Sequence, residues 1–152
     1  MNDINQVFVY KRTIVVAEMS YNHCQSLKKA LKIVDEAKNA GADALKLQTF
    51  KPESLALKEV GNNKSFKKVN KWKKFKNRYE LFNKAYLPWE WHKKIFQRAK
   101  KISLPIFSSP FDLKAVDFLK DLNCPAYKIA SPEITDIPVY YKHLTRPTTP
   151  YV

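Results

Sequence analysis

Hydrophobic and polar positions follow a pattern that predicts strands and helices in alternation along most of the chain. Short β-branched or apolar runs mark the strands, and apolar residues three and four positions apart mark the helices. The predicted strands are residues 14–20, 42–50, 106–111 and 126–131, and the predicted helices are residues 26–40, 88–103 and 113–123. Two strands joined through one helix are typical of a parallel sheet, so the pattern predicts an α/β protein.

Local signals support the predicted helix boundaries. Ser26 can accept a hydrogen bond from the first turn of the first helix, and Gly41 can end that helix. Pro88 suits the first position of the second helix. Residues 51–77 have no clear period, so we predict a long excursion with some helix between the second strand and the second helix.

Polar residues stand at the carboxyl end of every predicted strand. Doubly wound sheets and (β/α)₈ barrels both show this alternation of elements, and both bind ligands at the carboxyl ends of their strands. The polar residues at these ends are Glu18, Asn22, His23, Lys46, Gln48, Ser108, Ser109, Lys128, Ser131 and Glu133. The sequence therefore predicts a ligand site along this edge of the sheet.

Two lysines, Lys46 and Lys128, lie inside predicted strands. A lysine in a strand that is covered on both faces is costly unless an anion meets it. An anionic ligand would meet this need, and so would a structural ion pair with Glu18 or Glu133. Lys46 and Gln48 are two positions apart, so they project from the same side of their strand.

Composition narrows the class of protein further. The chain has 152 residues, 45% of them hydrophobic, which is enough for one packed core. Its only glycines, Gly41 and Gly61, exclude a glycine-rich dinucleotide fingerprint and a P-loop. Cys24 and Cys124 form no CxxC motif and predict neither a zinc site nor a disulfide framework. We find no membrane span or signal peptide and predict a cytoplasmic protein without a membrane partner.

The formal net charge is +14, and a lysine-rich cluster interleaved with aromatic residues carries much of it. This cluster has three interpretations: solvated surface, a site for an anionic small molecule or partner, or a nucleic-acid site. Only four of the 28 basic residues are arginine, the residue that nucleic-acid interfaces favour, so we predict no nucleic-acid partner. The cluster comprises Lys64, Lys67, Lys68, Lys71, Lys73, Lys74 and Lys76.

An ordered set of motifs resembles the sialic acid synthase family. The motifs are AEMSYNH with QSL after it, ADALKLQTF, YLPWEWHK, FSSPFD followed by AVDFL, and PAYKIASPEITDIP. The AEMS, QSL, ALKLQT and PWEWHK segments are more similar to the pseudaminic acid synthase branch of that family. The match runs in order from about Ile14 to Pro138, and KIAS with the glutamate after it is its most specific part.

The resemblance implies that the chain is the N-terminal half of a (β/α)₈ TIM-type barrel, with four parallel strands and their helices and a truncated end. Residues 1–140 would form this partial barrel. Residues 141–152 depart from the family pattern, and we predict an unstructured tail there because two prolines fall within five residues. A complete barrel needs about 200 residues or more, so we expect the chain alone to lack activity.

The implied activity is that of a transferase. Members of the family condense phosphoenolpyruvate with an open-chain 2-acetamido sugar, break the C–O bond of the enol phosphate and release phosphate, which leaves a nine-carbon 2-keto acid. A fragment of an N-acetylneuraminate or legionaminate synthase is one alternative. A non-catalytic remnant that binds anions is another.

The resemblance also implies roles for individual residues. Lys46, Ser109, Lys128 and Ser131 match residues that hold phosphoenolpyruvate. Glu18 matches an acidic group near the sugar, and Glu133 matches a candidate for proton transfer. Gln48, Asn22 and His23 lie in matching segments and are expected to support the site.

A divalent metal ion, manganese or magnesium, and a homodimer are implied for the full-length family. Its metal-binding histidines come from later barrel strands. The three histidines of this chain, His23, His92 and His143, form no local ligand motif, so we expect no complete metal site in it.

Overall fold

The structure is a computed structural model, and it describes residues 13–58 and 74–144. Its centre is a parallel sheet in the order β1-β2-β3, with β1 over Val16–Glu18, β2 over Ala44–Thr49 and β3 over Ile106–Pro110. Each strand lies within a strand predicted from the sequence. Parallel neighbours need crossover connections, and helices provide them here, as the pattern predicts.

Helix α1 (Leu27–Asn39) makes the crossover from β1 to β2. The Ser26 side chain accepts a hydrogen bond from the Lys29 amide, so Ser26 is the N-cap, as predicted. Gly41 follows the helix with a φ of +81°, a conformation that residues with a Cβ rarely adopt. Local sequence signals therefore set both ends of this helix.

The described parts of the connection from β2 to β3, residues 50–58 and 74–105, contain three helices. These are the four-residue α2 (Pro52–Leu55), then α3 (Arg78–Ala85), then α4 (Trp89–Lys101). Helix α4 agrees with the prediction, although Pro88 is its N-cap rather than its first residue. Most of the lysine cluster, from Lys64 to Lys73, lies outside the described residues. No helix in residues 13–58 and 74–144 is long and apolar enough to span a membrane.

The fourth predicted strand is reduced to a single bridge. After β3, helix α5 (Leu113–Asp121) returns the chain, and Tyr127 then forms an isolated parallel bridge with Ser108. The Lys128 amide donates to the Ser108 carbonyl over 3.0 Å. Pro125, just before this segment, has no N–H for a ladder, and a 3₁₀ helix over Ser131–Ile134 begins just after it. The segment of residues 126–130 between these two features therefore pairs with β3 only through this bridge and the Lys128 amide.

The predicted boundary at residue 141 falls inside a helix. Helix α6 covers Ile137–Leu144, so the prediction that the unstructured tail begins at residue 141 is wrong for its first four residues. The Asp136 carboxylate accepts a hydrogen bond from the Val139 amide and thereby supports the start of this helix. Residues 145–152 lie outside the described residues.

The two faces of the sheet differ in chemistry. On one face, Leu45 and Leu47 are fully buried and belong to a core that includes Val34 of α1 and Ile95 and Ala99 of α4. Side chains alternate along a strand, so Lys46 and Gln48 of β2 project from the opposite face. Ala44 and Phe107 share this second face with Lys46 and belong to another apolar cluster, with Leu119 of α5, so the polar side chains of the face are those toward the carboxyl ends of the strands.

Candidate functional site

Strand register brings four predicted site residues to one face of the sheet. Glu18 of β1 is the register partner of Lys46 on β2, and Gln48 is the partner of Ser109 on β3. Register partners in a parallel sheet project from the same face. Glu18, Lys46, Gln48 and Ser109 therefore form a polar surface at the carboxyl ends of the strands, opposite the core that holds α1 and α4.

Lys46 forms an ion pair with Glu18. The Lys46 ammonium contacts Oε2 of Glu18, with the Lys46 side chain 17% exposed and the Glu18 side chain 40% exposed. The other carboxylate oxygen of Glu18, Oε1, accepts a hydrogen bond of 3.2 Å from the Ser20 amide. The structural ion pair that was one alternative for Lys46 is thus present. Glu18 is the more exposed partner of this ion pair.

Lys128 lies on the same face but is exposed. Because Tyr127 is bridged to Ser108, the next residue, Lys128, stands beside Ser109. The expectation that a strand would bury Lys128 is wrong, because the single bridge leaves this segment open to solvent on one side. Lys128 can keep its charge hydrated and needs no structural counterion.

Two buried oxygens near this face have no hydrogen-bond partner among the described residues. They are Oγ of Ser109, a residue 1% exposed, and Oε2 of Glu133, a residue 5% exposed. Buried polar atoms are usually paired, so an unpaired one needs a specific explanation. Both residues belong to the set that the sequence predicts for the site.

Burial raises the pKa of Glu133 above its ordinary value, and the nearby charge of Asp136 adds to this rise. The backbone amide of Glu133 and the positive charge of Lys128 act in the opposite direction. A carboxyl group with a raised pKa can exchange a proton nearer to neutral pH than an ordinary glutamate can. Ser131, the first residue of the same 3₁₀ helix, is exposed.

The loop after β1 separates the other two predicted residues from this surface. Asn22 is exposed and donates from Nδ2 to the Met19 carbonyl over 3.1 Å. His23 is buried and packs edge-on against Trp91 of α4, with 6.0 Å between ring centroids. His23 therefore lies on the helix side of the sheet. Within the described part of the chain, no hydrogen bond or ion pair connects it to Glu18 or Lys46.

His23 is uncharged near neutral pH, because burial lowers its pKa and the nearby Ala85 carbonyl opposes this only in part. The Gln25 amide donates to Nδ1 of His23 over 3.2 Å, which places the ring proton of the neutral form on Nε2. Nε2 makes no hydrogen bond with the described residues. A packing role fits this position better than direct contact with the ion pair of Glu18 and Lys46.

Gln25 holds this loop in place, a role that sequence reasoning missed. Its side-chain amide donates to the carbonyls of Tyr86, over 2.6 Å, and Lys84, over 3.3 Å, at the end of α3. Ser20, Cys24 and Gln25 all adopt positive φ values, between 46° and 55°, which non-glycine residues rarely do. Two long-range hydrogen bonds therefore support a strained loop. The local sequence pattern does not predict them.

A buried chain of hydrogen bonds joins both strand ends to α4, and the sequence did not reveal it. His92 contacts the Pro88 carbonyl through Nδ1 at 3.2 Å and Oγ1 of Thr49 through Nε2 at 2.9 Å. A carbonyl only accepts, so Nδ1 carries the proton and Thr49 donates to Nε2. Thr49 in turn accepts from Ser108 over 2.7 Å. This chain fixes the ends of β2 and β3 beside Gln48 and Ser109.

Replacing Thr49 with valine should destabilise the protein by about 2 kcal/mol, because Nε2 of His92 and the Ser108 hydroxyl would both be left buried without a partner. Valine has nearly the same volume, so packing changes little. Urea unfolding followed by circular dichroism measures the difference. Ser108→Ala is the matched comparison and should cost less, because the Thr49 bond to His92 remains. Equal stability of Thr49→Val and the unchanged protein would show that these hydrogen bonds do not stabilise the fold.

The described residues do not fit a metal site. Within residues 13–58 and 74–144, no three His, Cys, Asp or Glu side chains come together as ion ligands. His92 is occupied on both ring nitrogens. No step is therefore assigned to a metal ion held by these residues.

A family profile described as the NeuB family matches residues 33–149. The pseudaminic acid synthase of Helicobacter pylori is 44% identical over 131 residues, which are 84% of this chain and 37% of that protein. An N,N'-diacetyllegionaminic acid synthase of Campylobacter jejuni is 32% identical over 136 residues, 90% of this chain and 40% of that protein.

The fold has a counterpart among solved structures. The N-acetylneuraminic acid synthetase of Leptospira borgpetersenii superposes with a TM-score of 0.70 at 26% identity, over 87% of this chain and 41% of that one. The chain thus spans well under half the length of the relatives it matches. The predicted fold class, an α/β part of a (β/α)₈ TIM-type barrel, is confirmed.

Proposed function

The chain belongs to the NeuB family, and from that premise we propose that it forms the phosphoenolpyruvate-binding part of a sugar acid synthase of the pseudaminic acid synthase type. Such an enzyme joins phosphoenolpyruvate to an open-chain 2-acetamido sugar and releases phosphate. The pseudaminic acid synthases are more similar to the chain than the legionaminic acid synthase is, which supports this type over the other.

The observation that carries the proposal is the shared face of Glu18, Lys46, Gln48 and Ser109. Phosphoenolpyruvate is a small anion with a phosphate and a carboxylate. The Lys46 ammonium and the unpaired Ser109 hydroxyl can donate to these groups, and the low exposure of Lys46 strengthens such a contact. Lys128 adds a second positive charge from the solvent side, and Ser131 a further hydroxyl.

Glu133 is proposed as the group that moves a proton. The CH₂ carbon of phosphoenolpyruvate attacks the aldehyde carbon, and the carbon that carries the phosphate oxygen becomes electrophilic and binds water. Glu133 can take a proton from that water and pass it to the former aldehyde oxygen, which becomes a hydroxyl. The tetrahedral intermediate then breaks its C–O bond to phosphate, its hydroxyl proton leaves with the phosphate, and a ketone remains. Burial raises the pKa of Glu133 above its ordinary value, which makes its carboxylate a stronger base than that of an ordinary glutamate.

The remaining predicted residues take supporting places in the proposal. Glu18 lies at the edge of the surface where a sugar can approach, since its carboxylate is the more exposed member of the ion pair. Gln48, between Lys46 and the strand end, can donate to either substrate. Asn22 and His23 help to hold the loop after β1 and affect the site through the position of that loop.

The metal ion and the homodimer stay proposals for the complete enzyme. The family resemblance places manganese or magnesium on histidines of later strands, where the ion would polarise the aldehyde oxygen. The residues described here hold the anion and move protons. A cytoplasmic location also stays a prediction.

A chimera tests the proposed reaction. Residues 14–138 would replace the matching segment of the Helicobacter pylori pseudaminic acid synthase, whose own remaining part completes the barrel. We expect this chimera to release phosphate from phosphoenolpyruvate in the presence of manganese and the 2-acetamido sugar that the parent enzyme uses. The 152-residue chain alone should release none, because it spans only 37% of that relative.

Glu133→Gln in the chimera is the informative variant, because glutamine keeps the size of the side chain but cannot take a proton. Phosphate release should fall at least about 100-fold, the usual contribution of general acid–base catalysis. Glu36→Gln, an exposed position in the last turn of α1, is the matched control and should retain activity. An inactive chimera that is folded and binds no phosphoenolpyruvate would favour a non-catalytic remnant instead.

A further inference from the structure

The ion pair between Glu18 and Lys46 has a consequence for ligand binding. Lys46 is the least exposed ammonium of the proposed anion site, and its counterion in the described part of the chain is Glu18. The Lys46 ammonium has three N–H donors, but a second anion placed on it would lie close to the Glu18 carboxylate, and the two negative charges would repel each other. Any anionic ligand that contacts Lys46 must therefore compete with the Glu18 carboxylate.

We propose that Glu18 is an internal competitor for the anion site, which occupies Lys46 in the ligand-free protein and is displaced when the phosphate or carboxylate of phosphoenolpyruvate binds. This inference rests on the proposed function and extends it to the specificity of the same site. It assigns Glu18 a role before any sugar arrives.

The geometry allows the exchange. Glu18 is 40% exposed, so its carboxylate can leave Lys46 and be hydrated at little cost, whereas Lys46 at 17% exposure stays in place. Glu18 is also the last residue of β1, so its side chain can move without disturbing a strand interior. The mobile partner of the pair is therefore the carboxylate.

The exchange is coupled to the loop after β1. Oε1 of Glu18 accepts from the Ser20 amide, and Ser20 adopts a φ of 46°, in the left-handed region that is unfavourable for serine. When the carboxylate moves away from Lys46, this hydrogen bond and the strained turn at Ser20 are free to readjust. The turn at Ser20, at the start of the loop that carries Asn22 and His23, is therefore the backbone that displacement of Glu18 would affect first.

The competition also makes the site selective by charge. A ligand with two negative charges can replace the single charge of Glu18 with a net gain, but a neutral molecule cannot. Phosphoenolpyruvate and inorganic phosphate should therefore both displace Glu18, and neutral sugars should not. Removal of the Glu18 carboxylate should lower the selectivity of the site for doubly charged ligands and raise its affinity for anions.

Isothermal titration of the 152-residue chain with phosphoenolpyruvate, and separately with inorganic phosphate, tests the proposal. Glu18→Gln should bind both anions roughly 3- to 10-fold more tightly than the unchanged chain, as expected when a partly exposed competing ion pair is lost. Glu36→Gln removes one negative charge from the exposed surface of α1 and should stay within about twofold, because solvent screens an exposed charge that is not paired with Lys46. Glu18→Ala provides a second neutral variant if Glu18→Gln folds poorly.

The outcomes distinguish the anion site from the competition by Glu18. If the unchanged chain binds phosphoenolpyruvate and Glu18→Gln binds it equally or more weakly, the competition is refuted while the anion site stands. If neither the unchanged chain nor the two Glu18 variants binds either anion, the proposed site fails and the competition fails with it. Tighter binding in Glu36→Gln to the same degree as in Glu18→Gln would reduce the effect to net charge and overturn the role of Glu18.

Discussion

Lys46→Ala is expected to weaken phosphoenolpyruvate binding to the 152-residue chain by at least about 30-fold, because truncating one partner of a desolvated charge contact costs about 2 kcal/mol or more. The ammonium lies on the polar face beside Glu18 and is 17% exposed. An exposed lysine would lose far less, since water screens its charge. Isothermal titration of the variant against the unchanged chain measures the loss.

The matched control is Lys120→Ala, which removes an exposed lysine from the last turn of α5 and lowers the net charge equally. It should bind phosphoenolpyruvate within about twofold of the unchanged chain, because solvent screens a distant charge. Lys46→Ala also leaves Glu18 unpaired beside the ligand, so part of the loss is repulsion. Lys46→Ala combined with Glu18→Gln isolates the direct contribution of the ammonium. Similar losses in Lys46→Ala and Lys120→Ala would rule out a specific contact at Lys46.

His92 should make the stability of the fold depend on pH. Burial lowers the pKa of His92 from 6.5 to about 4, with the charge of His23 adding a little and the backbone groups of Pro88 and Trp89 opposing it. Between these two pH values the unfolded chain binds more protons than the folded chain at this residue. The His92 contribution is therefore intact above pH 6.5 and is lost as the pH falls toward 4. The whole loss amounts to about 3 kcal/mol.

Urea unfolding at pH 7 and pH 5 measures this loss, of which about 2 kcal/mol should fall between these two values. Other groups titrate in the same range, so the relevant quantity is the difference between the unchanged chain and His92→Gln, which retains His23. The unchanged chain should lose about 2 kcal/mol more than His92→Gln between pH 7 and pH 5. Parallel pH profiles for the two proteins would show that His92 is not held neutral by burial.

Much of the fold followed from short-range patterns. The first helix was predicted with its cap at Ser26 and its end at Gly41, and both were confirmed, because capping involves residues only a few positions apart. The fourth strand was overestimated. A run such as AYKIAS has strand periodicity, but a strand also needs a partner along its length, and the chain offers a single bridge to Ser108.

The candidate site was predictable as a set of residues but not as a set of contacts. The motifs and the rule for strand ends identified Lys46, Ser109 and Glu133. They could not tell that Lys46 would pair with Glu18, or that Lys128 would be exposed, because both depend on how completely neighbouring strands enclose each side chain.

By itself, the sequence determined the alternation of strands and helices, the parity that places Lys46 and Gln48 on one face, and the motifs of the NeuB family. The tertiary structure alone decided which of these side chains meet. Glu18 and Lys46 are 28 positions apart, Thr49 and His92 are 43 apart, and Thr49 and Ser108 are 59 apart. Periodicity and capping act over about four residues, whereas these contacts depend on strand register and helix packing, which form only when the whole sheet assembles.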